Sequence, residues 1–382
     1  MIERRGRLLV EGKLVTGTLA WEAGRIARVD VEGEIGGPEL PLYAPGLVDL
    51  HVHGFGGREP LDGEGLAAMA RALARGGTTA FQPTLFPDAP ERLGELAAQL
   101  ERAITRGRSP GAARVAGLHL EGPFVNPLAA GALPRDRLAA PSREALRAIL
   151  GPATGSGRAV RTITLAPELA GADDLVAELA LSGVRVSLGH SLATAAEARA
   201  AARGGACGAT HLFNAMAPLH HREAGLAGFA LTDAALDAEL IGDLVHVGPE
   251  AIELALRARG PEGLCLVSDA LPGAGTGCEF FHWHGREHRD RGGAFFRARD
   301  AGGEPALAGS ARSQLEMVRL LVARGVVGLP EALAMASATP ARALGLDREL
   351  GSLRVGTAAD LIVLQGRALE LAEVWVAGAR AL

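Results

Sequence analysis

From about residue 44 to about residue 270 the chain repeats one theme: a short apolar segment, a turn, then an Ala- and Leu-rich stretch with helical spacing. Eight apolar segments of this kind follow one another: "APGLVDLHVH", "GTTAFQPT", "RVAGLHLE", "RTITLAP", "VRVSLGH", "GACGATH", "AELIGDLVH" and "GLCLVSD". Each has the length and residue types of a strand. The stretches between them, such as "DGEGLAAMARALARG" and "LATAAEARAAARGG", are amphipathic and end in Gly, as helices do. Eight strands alternating with helices close into a parallel barrel. The expectation is an α/β protein with a (β/α)8 TIM-type barrel over residues 44–350. Residues 1–43 and 351–382 carry short strands and turns without helical periods, each too short to bury a sheet alone. They are expected to pack together as one small β-sandwich domain. After the eighth strand, "CEFFHWHGREHRDRGGAFFRARD" reads as hairpins, and "SARSQLEMVRLLVARG" and "PEALAMASATPARALG" read as helices.

Polar residues punctuate this scaffold at one place, the carboxyl ends of the strands. In "GLVDLHVHGFGG" His51 and His53 are one residue apart, so in an extended chain both side chains point to one face while Val52 points to the other. Glu121 ends the third strand, His190 the fifth, His211 the sixth, His246 the seventh and Asp269 the eighth. In a barrel those ends meet at a single mouth, where active sites of this architecture lie. One histidine alone would be read as a hydrogen-bonded core residue. Together they read as a site. Carboxylate plus imidazole is the ligand set of a divalent transition metal, Zn²⁺ foremost, with Fe²⁺ or Mn²⁺ also suited. Glu121, His190 and His211 form the expected first set of ligands. Asp269 is then a general base, or alternatively an anchor for a ligating histidine.

Composition removes other classes. The chain of 382 residues has a formal net charge of −5, one Tyr and three Trp, so it offers neither a basic field nor stacking platforms for nucleic acid. No apolar run reaches the length of about 18 residues that a membrane span needs, and the start, "MIERRGRLLVEGKLV", does not read as a secretory leader. The expected location is cytoplasmic. Cys207, Cys265 and Cys278 are odd in number with no CxxC, against a disulfide framework. "HWH" at 282–284 repeats the His-x-His spacing outside the eight strands and reads as a surface or core feature.

The motifs "PGLVDLHVHGFGG", "GLHLEGPF", "GHS", "THLFNAM", "LVSDA", "LAGS" and "ATPARALGL", followed by "GSLRVGTAADLIVL", together resemble the amidohydrolase superfamily, and within it the N-acetylglucosamine-6-phosphate deacetylases. The resemblance implies a metal-dependent hydrolase that removes the acetyl group from an amino sugar phosphate, a small-molecule substrate. It implies metal binding by Glu121, His190 and His211, catalysis by Asp269, and sugar-phosphate contacts from Asn214, Ala215, Arg222, His246, Leu307, Ala308 and Gly309. Members differ in whether they hold one metal or two; this chain keeps His51 and His53, so a second metal bridged by Glu121 is expected, the alternative being one metal with the pair lining the pocket as hydrogen-bonding groups. The resemblance further implies a homodimer in which Arg222 reaches the phosphate in the neighbouring subunit. One position departs from the pattern. Where the family commonly places a substrate-contacting His, "GALPRDRL" places Leu133, so a neighbour such as His220 or His221 compensates or the substrate preference differs. Two alternatives stay open: another amidohydrolase, dihydroorotase-like or aminoacylase-like, and a non-catalytic barrel module.

Overall fold

The computed structural model describes residues 1–33, 36–151, 159–297 and 305–382. Its centre is a parallel sheet of eight strands in sequence order: Leu47–Val52, Thr78–Leu85, Leu118–Glu121, Val160–Leu165, Arg185–Leu188, Gly208–Ala209, Asp237–Ile241 and Leu264–Val267. Each runs parallel to its neighbour. A parallel bridge between Val52 and Ala270, with Asp269 N–H donating to the His51 carbonyl at 2.8 Å, joins first strand to last and makes the (β/α)8 barrel. The expected third strand is split, because Gly117 (φ +112°) turns the chain where a Cβ would strike the Arg161 side chain. The sixth is only two residues long.

Local chemistry starts the helices where the sequence places them. Asp62 accepts from Gly65 N–H at 2.7 Å ahead of the helix Gly63–Arg75. Thr194 with Glu197, and Ser313 with Glu316, form reciprocal capping boxes at Ala195–Arg203 and Gln314–Ala323. The apolar faces of these helices bury Leu66, Met69 and Leu73, or Leu315, Val318 and Leu321, against the outside of the barrel.

Both termini contribute to a second sheet. Its seven strands are Ile2–Val10, Lys13–Glu22, Arg25–Gly33, Leu42–Pro45, Leu361–Gln365, Glu370–Val376 and Ala379–Arg380. Trp21 and Trp375 lie on strands far apart in the pairing order, yet their rings meet edge to face at 5.2 Å. A flat sheet, with strands about 4.8 Å apart, would hold them much farther apart. The sheet therefore folds onto itself around Leu8, Leu19, Ile26, Leu361 and Val363. A third sheet, Phe280–Trp283, Arg286–Asp290, Ala294–Arg297 and Ala306–Ser310, follows the eighth barrel strand, and Ser310 bridges Ala270 beside the mouth. Among the described residues no helix is long and apolar enough to cross a membrane.

Candidate metal centre and active site

Alternation along the first strand sends Asp49, His51 and His53 into the barrel, and the third sends His119 and Glu121. His190, His211 and Asp269 each lie two residues past the end of their strand, all in the left-handed region at φ +47°, +32° and +47°. Such backbone is costly for residues with a Cβ and collects at functional sites. Here it turns each side chain back over the mouth.

The result is one buried cluster. Glu121 Oε1 lies 3.1 Å from His190 Nε2 and 3.0 Å from His211 Nε2, and the two nitrogens are 3.0 Å apart. On the other side, His51 Nε2 is 3.3 Å from Glu121 Oε1 and His53 Nε2 is 3.4 Å from Glu121 Oε2, with 3.2 Å between the two nitrogens. Asp269 Oδ1 stands 3.5 Å and 3.4 Å from the same two nitrogens. Glu121 thus sits between two histidine pairs.

The arrangement fits a divalent metal for a reason visible in the hydrogen bonds. His190 Nδ1 donates to the Ala129 carbonyl at 2.9 Å, His53 Nδ1 to the Thr84 carbonyl at 3.2 Å, and His51 Nδ1 to Glu239 Oε2 at 3.0 Å. Each outer proton fixes the tautomer whose Nε2 lone pair faces the centre. Lone pairs facing one another beside carboxylates need a cation. Without a metal, protons take that part. Burial pulls His51 down, but Glu121 and Asp269 outweigh it and hold its pKa well above the usual imidazole range. Burial would raise Asp269 and Glu121; the facing imidazoles win and keep both below the usual carboxylate range. His119 shares the face of Glu121 but groups with His51 and Glu239 rather than with Glu121, and its nitrogens are otherwise engaged. It spends both nitrogens on Leu50 O (3.2 Å) and Thr164 Oγ1 (2.8 Å). Burial and the charge of His51 push its pKa down to about 3.

The residues expected at the substrate are placed unevenly. His246 is not at a strand end: the seventh strand stops at Ile241, and His246 is held in the following loop by a 2.6 Å hydrogen bond to buried Asp243. Burial lowers His246, but that bond and the charge of Asp243 leave its pKa raised. Asn214 and Ala215 lie in the turn after His211, where Ala215 (φ +52°) gives its carbonyl to Ser191 N–H. Leu307, Ala308 and Gly309 lie on the strand beside Asp269, and Ser310 N–H donates to the Asp269 carbonyl at 2.9 Å. Arg222 is exposed, its guanidinium 3.0 Å from His221 of its own loop. A cavity of about 1220 Å³ opens from His53 past Phe86, Leu133, Trp283, His284 and Ala308. Phe86 stacks on His53 with 4.0 Å between ring centres, and Trp283 meets Phe86 edge-on. "HWH" is therefore no mere surface feature: Trp283 and His284 form part of the wall at the mouth. Leu133 is buried beside Val125 and Ala130, and His220 and His221 are exposed on the Arg222 loop. Neither of them lines the cavity that Leu133 lines; His284 does. Reasoning from sequence missed Glu239, Asp243 and Phe86, of which Glu239 alone carried a signal, as a charge inside an apolar strand.

The amidohydrolase family model matches residues 42–380. The chain belongs to the amidohydrolase family. Within that family it is similar to the N-acetylglucosamine-6-phosphate deacetylase of Rattus norvegicus, 35% identical over 371 residues, covering 94% of this chain and 86% of the relative. It is also 35% identical over 385 residues to an N-acetylgalactosamine-6-phosphate deacetylase of Escherichia coli O157:H7, covering 99% and 98% of the two chains. Among solved structures, a mutant N-acetyl-D-glucosamine-6-phosphate deacetylase of Mycobacterium smegmatis in complex with N-acetyl-D-glucosamine-6-phosphate superposes with a TM-score of 0.88. It is 31% identical, with 100% of this chain and 99% of that one covered.

Proposed function

We propose that this amidohydrolase removes the acetyl group of N-acetyl-D-glucosamine 6-phosphate, giving D-glucosamine 6-phosphate and acetate. The observation that carries the reading is the convergence of Glu121, His190 and His211 with Asp269 beside them, in a chain similar over nearly its whole length to deacetylases of this substrate. Glu121, His190 and His211 would hold one metal, and His51 and His53 would share Glu121 with a second; the nitrogen and carboxylate donors suit Zn²⁺, with Fe²⁺ and Mn²⁺ as alternatives. A bound metal supplies the Lewis acidity that makes water a nucleophile at neutral pH.

The chain's own part is proton transfer and positioning. Asp269, ionised in its setting of imidazoles, takes a proton from water as its oxygen adds to the amide carbon, and returns it to the nitrogen as the C–N bond breaks. His246, oriented by Asp243, holds the sugar. The main chain at Asn214, Ala215 and Leu307–Gly309 lines its seat. Arg222 suits the phosphate, because its planar fork makes paired charge-assisted bonds. Its exposure on a loop agrees with service to a neighbouring subunit of a homodimer. A phosphorylated sugar does not cross a bilayer unaided, so the reading includes a cytoplasmic location. A second reading is the 4-epimer, N-acetyl-D-galactosamine 6-phosphate, favoured by the equal identity to a relative of that name over almost the full length of both chains.

Acetate release from the two phosphorylated epimers, compared by kcat/KM, decides between them; release from neither sinks both readings. Removal of metal with a strong chelator should abolish turnover, and Zn²⁺, Mn²⁺ or Fe²⁺ should restore it. Asp269→Asn keeps the shape but cannot take a proton. It should lower kcat by at least about 10²-fold with metal content near wild type. Loss of metal instead would make Asp269 a ligand.

A further inference from the structure

Of the two charges on the strand Asp237–Ile241, Asp237 stands half-buried at its start, while Glu239 is 1% exposed among apolar neighbours. Removing a carboxylate from water is costly unless it is well paired. Its Oε2 lies 3.0 Å from His51 Nδ1 and accepts the main-chain N–H of His211 at 3.3 Å. Both donors belong to residues of the metal cluster, and the proposed chemistry leaves the carboxylate without any other task.

We infer that Glu239 is a positioning residue for the His51–His53 metal site: by accepting the His51 Nδ1 proton it fixes the ring and its tautomer so that Nε2 faces Glu121 and Asp269. This rests on the reading that His51 and His53 hold the second metal. An ionised acceptor behind a ligating imidazole also makes its far nitrogen a better donor to metal. Glu239 cannot be a ligand of that metal itself, because His51 stands between: Nδ1 faces the carboxylate and Nε2 faces the centre. The shorter bond, to His51, makes this site rather than the Glu121–His190–His211 site the one that depends on Glu239.

The test counts metals per chain while graded chelator is applied to the Zn²⁺-loaded enzyme. Glu239→Met, close in length but with only a weak thioether acceptor, should weaken one metal equivalent by about 10–100-fold, the usual cost of losing such a support. The other equivalent and the thermal midpoint of the fully loaded protein should change little. Glu239→Gln keeps an acceptor without the charge, so its loss should fall between wild type and Met; it decides the matter alone if the Met variant does not fold. Full retention of both equivalents in Glu239→Gln and Glu239→Met, or equal weakening of both, overturns the role of Glu239. His51→Gln with His53→Asn is run beside them: loss of one equivalent there with none in the Glu239 variants refutes Glu239 alone. Unchanged stoichiometry in the double variant refutes the second metal and the inference with it.

Discussion

His246 and Asp243 show how a single hydrogen bond sets what a residue can do. The 2.6 Å bond lies in a buried pair, and it raises the His246 pKa while Asp243 is held low against the pull of burial. A raised imidazole contributes stability that is lost as pH rises through its folded pKa; a depressed carboxylate contributes stability lost as pH falls through its own. Between those limits His246 carries a proton, which on the proposed reading it offers to the sugar or its phosphate. Asp243→Asn leaves the burial of His246 and removes the charge, so the imidazole should lose its proton at lower pH. In the variant KM should begin to rise at a lower pH than in wild type, by about tenfold per unit beyond the new pKa. Measuring KM and thermal midpoint across pH checks this, and an unmoved KM profile would mean that the proton of His246 does not serve binding. The sequence made His246 visible as a lone polar residue near a strand end. It hid Asp243, because an i, i+3 pair in a loop has no period to betray it.

Most of the barrel was legible because its signals are local. Apolar runs of strand length, Gly at helix ends and caps such as Thr194 with Glu197 need no knowledge of distant chain. Alternation alone put His51 and His53 on one face, and the same rule applied to the third strand would have found His119 behind Glu121. What could not be read was how the sheet after the eighth strand docks. The pairing of Ala294–Arg297 with Ala306–Ser310, and of Ser310 with Ala270, depends on contacts between segments remote from the local pattern, so Trp283 and His284 looked peripheral. One glycine permits that docking. A Cβ on Gly309 would lie 2.8 Å from the Asp269 carbonyl oxygen and 2.8 Å from Leu271 Cγ. Gly309→Ala must therefore push the strand away from the residue assigned as the base. It should cost about 1–3 kcal/mol of stability, as overpacking does, and lower kcat more than it raises KM. Wild-type kcat in this variant would show that the position of Asp269 does not depend on the strand beside it.

Across the whole molecule, Asp360 gives "GTAADL" a physical purpose. Its carboxylate is buried and takes a paired interaction from Arg114, with Nε at 2.8 Å and Nη2 at 3.2 Å, and the main-chain N–H of Ala377 at 2.5 Å. The Asp360 carbonyl also accepts from Gly46 N–H at 2.9 Å. Arg114 precedes the third barrel strand, Gly46 the first, and Ala377 follows a strand of the terminal sheet. One residue ties that sheet to the amino-terminal end of the barrel, the end away from Glu121 and Asp269. In barrels of this kind that end serves stability, and the carboxyl end serves chemistry. Asp360→Ala would leave the Arg114 guanidinium, 27% exposed, and the Ala377 N–H without their acceptor. Breaking a buried ion pair from one side costs about 3–5 kcal/mol, and the partial exposure of Arg114 argues for the lower end, about 3 kcal/mol, after allowance for solvent screening. Thermal unfolding of the metal-loaded enzyme should show the loss as a lowered midpoint, while kcat per folded molecule stays near wild type. That is the reverse of Asp269→Asn, which should spare the midpoint and remove the rate. If Asp360→Ala lowered kcat without lowering the midpoint, the ends of the barrel would not divide their work in this way, and Asp360 would have to act on the site.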